Sequence, residues 1–439
     1  MMLDWIRFSL FFEQLKLCYK AHFYSAKKKY ANQLQRVKQV RRQSQRHYAV
    51  GSPQLFIDIS NLVFRDGKTG IHRVVRSVAS CVSRLEGYKG YRLSLVYASP
   101  YRLGYWHAFE YERSMLGKEG LPNRDQPIDF KQGDIFFELD WNLRLAAFQR
   151  PFYERMVAAG VKVFFNVFDI IPLSLHELNS EKSRNTFESW LLEASRYTGV
   201  LCNSQAVAED YREWRREKGL SEDFIIDWFH LGADIENSLP SKGLSGNAQA
   251  VLDSIRATAS ILMVSSLHPR KGYAQALDAF ELLWKAGSDV KLVIVGKDYP
   301  NNGNLAQRLR EHPEQGRRLI WLENISDEYL DFVYKASTAV LFASRAEGFG
   351  LAVWEGARYG KPLILRDLPV FRELAGDNAM YFSGLEPDCL ACAIADWLKL
   401  YENGIAPASN KIKILSWEQS FYFMLEKLIC LSEDKNYLE

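Results

Sequence analysis

The amino-acid sequence predicts an α/β protein of two doubly wound sheets in tandem, facing each other across a cleft, with a basic helical extension in front. Two sets of short apolar runs alternate with helical segments, the pattern of strands joined by crossover helices. A polar stretch at 236–258, rich in Ser, Gly, Asn and Lys, separates the two sets. Charge is divided as well. Residues 1–50 hold eleven Lys or Arg against two acidic residues, a net +9, so the remainder carries −6 of the formal total of +3.

At 439 residues the chain exceeds one ordinary core and suits two domains with additions. With 47% apolar and 25% charged residues the composition is globular. No run of 18 apolar residues and no cleavable signal pattern is visible, so the expectation is a cytoplasmic protein. Six scattered cysteines do not make a disulfide framework. Cys389 and Cys392 form a lone C-x-x-C in LACAIADWL, read as core packing rather than as a metal site.

Residues 1–50 contain neither Pro nor Gly and read as helix. Trp5, Phe8, Phe12, Leu15, Tyr19 and Phe23 recur at three- and four-residue steps, and a basic run from Lys27 to Arg46 follows. Aromatics followed by cations fit a helix lying peripherally on an anionic inner membrane leaflet. Packing on a partner or on the chain's own domain is the other reading, because Ile6, Leu10 and Leu17 line the opposite face. Nucleic acid is not an expected partner, since no reading module accompanies the charge.

Residues 51–235 form the first domain, with strand candidates LFIDIS, YRLSLVYAS, DIFFELD, VKVFFNVFDIIP, GVLCNS and FIIDWFHLG. After the 236–258 linker, residues 259–415 form the second, with ASILMVSSL, KLVIVG, LIWLENI, TAVLFAS, KPLILRD and AMYF. Residues 416–439 are a terminal helix. Each domain is Rossmann-like, and ligands of such sheets bind beyond the carboxyl ends of the strands.

The stretch TAVLFASRAEGFGLAVWEG at 338–356 passes from strand to glycine turn to helix. Free N–H groups and the positive dipole end of that helix make the turn at Gly348, Phe349, Gly350 and Leu351 a diphosphate seat. Glu347 and Glu355 flank the seat and are placed to accept hydroxyls, Glu347 from a sugar and Glu355 from a ribose diol. A solvated surface turn is the bland alternative. No G-x-G-x-x-G follows a strand, no P-loop occurs, and no Asp-x-Asp pair is present to chelate a metal beside a sugar diphosphate. Neither cofactor nor metal is expected. Charge neutralisation falls instead to Arg270 and Lys271, in the loop after the first strand of the second domain.

These motifs resemble the donor domain of retaining glycosyltransferases of family 4, which have the GT-B fold. Their E-x(7)-E signature stands here as Glu347 to Glu355, and YGKPLILRDLPVFRELAGDNAMYF and P-R-K-G also match. The first half, through DGKTGIHRVVRSV, FDIIPLSLHE, CNSQAVAEDY and HLGAD, resembles enzymes that build bacterial surface polysaccharide, many of them mannosyltransferases. The resemblance implies transfer of a hexose, mannose from GDP-mannose as first choice, to a growing or lipid-linked glycan with retention of configuration. It places Gly70 against the donor phosphates, Asp169 in the cleft near sugar or acceptor, and Lys271 with Arg270 on the leaving diphosphate. Ser265 and His268 depart from the family's usual Gly and acid. A nucleotide-sugar epimerase of the same fold and a catalytically silent membrane-bound assembly partner are the alternatives.

Overall fold

The structure, a computed structural model, describes residues 51–67, 69–85, 87–234, 241–299 and 303–433. The aromatic and basic extension at 1–50, and with it the expected membrane-surface helix, lies outside the described residues, as do part of the linker and residues 434–439.

The first sheet contains β1 (Gln54–Asp58), β2 (Gly87–Tyr88), β3 (Tyr91–Ala98), β4 (Tyr105–His107), β5 (Ile135–Glu138), β6 (Lys162–Val167), β7 (Gly199–Cys202) and β8 (Ile225–Trp228). Their order is β2-β3-β1-β5-β6-β7-β8, with β4 also paired to β3. β1 and β3 to β8 except β4 run parallel, whereas the short β2 and β4 are antiparallel to β3. Phe56, Ile57, Phe136, Phe137, Phe164 and Phe165 are fully buried. Adjacent strand residues point to opposite faces, so a sheet covered on both sides needs continuous apolar runs rather than alternation.

The second sheet contains β9 (Ser260–Val264), β10 (Lys291–Val295), β11 (Leu319–Leu322), β12 (Ala339–Phe342), β13 (Leu363–Arg366) and β14 (Met380–Phe382). Its order, β11-β10-β9-β12-β13-β14, is wholly parallel and reverses direction between β9 and β12. Ligand crevices of such sheets lie at this reversal, beyond the strand ends.

Seven helices position the site. They are α1 (Gly70–Arg84), α2 (Gln205–Glu217), α3 (Tyr273–Lys285), α4 (Asp327–Ala336), α5 (Leu351–Arg358), α6 (Pro369–Ala375) and α7 (Trp417–Glu433). α7 follows the second sheet yet packs on the first half of the chain. Its Trp417 N–H donates to Asp234, its Ser420 hydroxyl to the His230 carbonyl at 2.7 Å, and its Lys427 ammonium to Asp227 at 2.7 Å. Phe421, Met424, Leu425 and Leu428 are buried at the four- and three-residue spacing that gives a helix one apolar face.

One expectation fails. Cys389 and Cys392 are exposed rather than in the core. On their helix, Pro387–Glu402, the buried stripe runs through Leu390, Ala391, Ala393, Ile394 and Trp397, so the sulfurs fall on the solvent side of a 3.6-residue period.

Candidate functional site

The reversal between β9 and β12 brings together two loops that sequence separates by about 76 residues. After β9 the chain makes a 3-10 turn at Pro269–Lys271, capped by the His268 ring, whose Nδ1 accepts from the Arg270 N–H at 3.1 Å. Gly272 then adopts φ 74°, and a Cβ there would lie 2.2 Å from the Ala343 carbonyl oxygen at the end of β12. Only glycine fits that approach. The Arg345 N–H donates to the Arg270 carbonyl at 2.8 Å, so the two loops are joined through backbone as well as side chains.

Within this joint Lys271 bonds to Glu347, and the Arg270 guanidinium reaches both the Ala346 carbonyl at 2.8 Å and the other Glu347 oxygen at 3.1 Å. Burial alone would raise the Glu347 carboxyl, but the Lys271 and Arg270 charges outweigh it and hold it down to about 2. Burial pushes the Lys271 ammonium down to about 8, against the pull of Glu347. It therefore still carries its proton at pH 7, and one of its three N–H groups serves Glu347. Burial pushes His268 down to about 4, with Arg270 and Lys271 adding to the effect, so this ring is neutral beside the two cations.

The first domain supplies the opposite wall. Asp169 follows β6 and interacts with Arg270, Lys271 and Glu347; burial raises its carboxyl, and Arg270 opposes that. Gly348 sits against it, since a Cβ there would be 2.1 Å from the Phe168 carbonyl oxygen and 2.9 Å from the Asp169 Cβ. The Ser204 hydroxyl donates to the Gly348 carbonyl at 2.7 Å across the same seam.

Gly350 precedes α5 at φ 88°, and Leu351 opens the helix. Gly70, first in α1, faces Leu351, whose Cδ1 lies 3.9 Å from the position of a Gly70 Cβ. Thus the N-terminal ends of α1 and α5, each an electropositive helix end, meet across the cleft. The Phe349 side chain turns away into packing against the His230 and Trp354 rings, leaving only its backbone to the turn.

Glu355 is buried in α5, and both of its oxygens are occupied. Tyr334 of α4 donates to one at 2.9 Å, and Arg73 of α1 pairs with the other. Reading the sequence alone missed Arg73. It likewise missed Glu373 of α6, whose carboxylate accepts the Gln205 and Ala206 N–H groups at 2.7 and 2.8 Å and lies 2.7 Å from the His230 ring. That carboxylate caps α2 from the other domain. Arg73 stands three residues after the singled-out Gly70, whereas nothing local to Glu373 marks it.

Among the described residues, no group of three or more His, Cys, Asp or Glu side chains is arranged to hold a metal ion. Nor is any described helix long and apolar enough to cross a membrane.

Residues 252–412 match the family described as glycosyl transferases group 1. The serotype-specific mannosyltransferase WbdA of Escherichia coli is 40% identical over 383 residues, which cover 85% of this chain and 46% of that protein. The O-antigen chain mannosyltransferase B of Escherichia coli is 26% identical over 164 residues, covering 36% of this chain and 42% of that one. The chain thus spans about half the length of the curated relatives it matches. Among solved structures, Anabaena HepE in complex with UDP-glucose superposes with a TM-score of 0.58 at 16% identity, covering 86% of this chain and 100% of that chain. Sucrose-phosphate synthase of Thermosynechococcus elongatus gives 0.59 at 13% identity, over 86% and 99%. At such identities the likeness concerns fold alone. Residues 252–412 thus match the group 1 glycosyl transferases, and the fold around them is the two-domain GT-B architecture.

Proposed function

We propose that the protein is a retaining mannosyltransferase that uses GDP-mannose to extend a bacterial surface polysaccharide. The observation that carries this reading is the joint of Arg270, Lys271 and Glu347 at the strand-order reversal, closed by Asp169 from the other sheet. The names of the curated relatives support mannose as the sugar and O-antigen-like glycan as the acceptor.

In this reading the amides of Gly350 and Leu351 and the remaining Lys271 N–H groups hold the donor diphosphate, Glu347 binds sugar hydroxyls, and Glu355 takes the ribose diol. The acceptor hydroxyl attacks the anomeric carbon on the face the diphosphate leaves. The new carbon–oxygen bond forms as the carbon–phosphate-oxygen bond breaks, and the hydroxyl proton passes to the departing phosphate. Catalysis then rests on holding both substrates in place and stabilising the leaving charge. No divalent ion enters the scheme, because two cations already face the diphosphate.

The test incubates the purified chain with GDP-mannose, UDP-glucose or dTDP-rhamnose and a mannose-terminated oligosaccharide, with and without chelator. Mannose transfer that persists in chelator is expected. Conversion of donor alone into a new nucleotide sugar would replace the reading with epimerisation, and transfer restored only by added magnesium would sink the metal-free scheme.

A further inference from the structure

Glu355 is 3% exposed, and its two oxygens are bonded to partners from different domains. Tyr334 is fully buried in the domain of Glu355 and stacks on Tyr359 with ring centroids 5.1 Å apart. Arg73 comes from the first turn of α1 in the opposite domain, and its other terminal nitrogen lies 3.4 Å from Asp327 at the start of α4. Its side chain keeps 23% of its surface exposed, against 4% for that of Glu355. The Glu355 charge raises the Arg73 guanidinium above its usual value while burial opposes, so Arg73 remains a cation.

A ribose diol donates its hydroxyls to the same two carboxylate oxygens that Arg73 and Tyr334 now bond and cover. With so little of Glu355 open, one of the two must leave before a diol enters. Tyr334 is locked in the packing of its own domain. Arg73 is at the cleft surface and has Asp327 to retain it after release.

We propose that Arg73 is a positioning residue that competes with the donor nucleoside for Glu355. It latches the two domains when the site is empty and yields the carboxylate when ribose arrives. The inference rests on the ribose role proposed above for Glu355. Apparent nucleotide affinity is then lowered by the fraction of molecules that are latched.

The experiment titrates the full chain with GDP and, in parallel, UDP by calorimetry, comparing wild type with Arg73→Ala, Arg73→Gln and Arg73→Lys. Whichever nucleotide the wild type binds, Arg73→Ala is expected to bind it about 3- to 30-fold more tightly. Arg73→Lys, which keeps a cation on Glu355, is expected to stay within about twofold. Small-angle scattering of unliganded Arg73→Ala should show a larger radius of gyration than wild type. Arg73→Gln gives the same reading if the alanine variant does not fold. Wild-type binding with equal or weaker binding by the Ala and Gln variants would overturn the latch alone. Failure of wild type to bind either nucleotide would overturn the donor reading, and the latch with it.

Discussion

Each of the two sheets buries carboxyl groups at its cleft end, and the two sets are treated oppositely. At the end of β12, Glu347 meets Lys271 and Arg270 and is held down to about 2, a committed anion. At the end of β5, Glu138 meets the Tyr153 hydroxyl, the Trp190 indole and the negative charges of Asp140 and Glu193, and burial pushes it up to about 8. Asp58 of β1 is raised as well, first by burial and then by Glu138 and Asp140. Burial is similar in both places. The protonation state is decided by whether a cation shares the pocket, so one sheet presents fixed charge and the other a neutral hydrogen-bonded acid.

The largest effect that would break this comparison is on turnover. Lys271→Ala is expected to lower kcat by roughly 30- to 1000-fold, the scale for losing a charge-assisted contact to a leaving phosphate. Steady-state kinetics on the folded variant decides it, and near-normal turnover would remove Lys271 from the site.

Closure comes next. A side chain at Gly348 would run into the Phe168 carbonyl, so Gly348→Ala must part the two walls near Asp169. We expect a loss of about 10- to 100-fold in kcat/KM, since small misplacements of reacting groups carry costs of that order. The unfolding midpoint should move little. A variant with unchanged kinetics would show that this seam is not part of the closed reactive state.

The third effect falls on stability rather than on catalysis, and there the two acids should respond with opposite signs. Glu347 is bound to its proton less tightly in the folded protein than its ordinary 4.5 allows, so it stabilises above about pH 4.5 and loses that contribution as pH falls toward 2. Glu138 binds its proton more tightly when folded, so its contribution is full below about pH 4.5 and erodes as pH rises toward 8. Glu347→Gln should therefore cost about 2–4 kcal/mol at pH 7, leaving two cations without their anion. Glu138→Gln should stay within about 1 kcal/mol and flatten the decline above pH 4.5. Urea unfolding of wild type and both variants, followed from about pH 3 to about pH 8 so that both windows are sampled, measures this, and equal slopes throughout would refute the assignment.

Much of the architecture was legible in the sequence, because a sheet covered on both faces needs continuous apolar strands and these stand out as runs. All six strands of the second sheet fall in segments singled out from sequence. The strands β2 and β4 did not, since a two- or three-residue strand has no periodicity to detect. The turn from Glu347 to Leu351 and the loop at Arg270 and Lys271 were equally visible, because glycines and charges at strand ends are local signals.

What the chain alone determined is the set of local elements and the residue types at their ends, for those depend on neighbours within a few positions. Only tertiary structure decided which of those ends meet. It joined Lys271 to Glu347 rather than leaving both to a ligand, and it brought Arg73 to Glu355 across 282 positions. It also turned Cys389 and Cys392 outward. Such pairings follow from the order of strands in a sheet and the closing of two domains, and a buried charge takes whatever opposite charge that packing brings within reach.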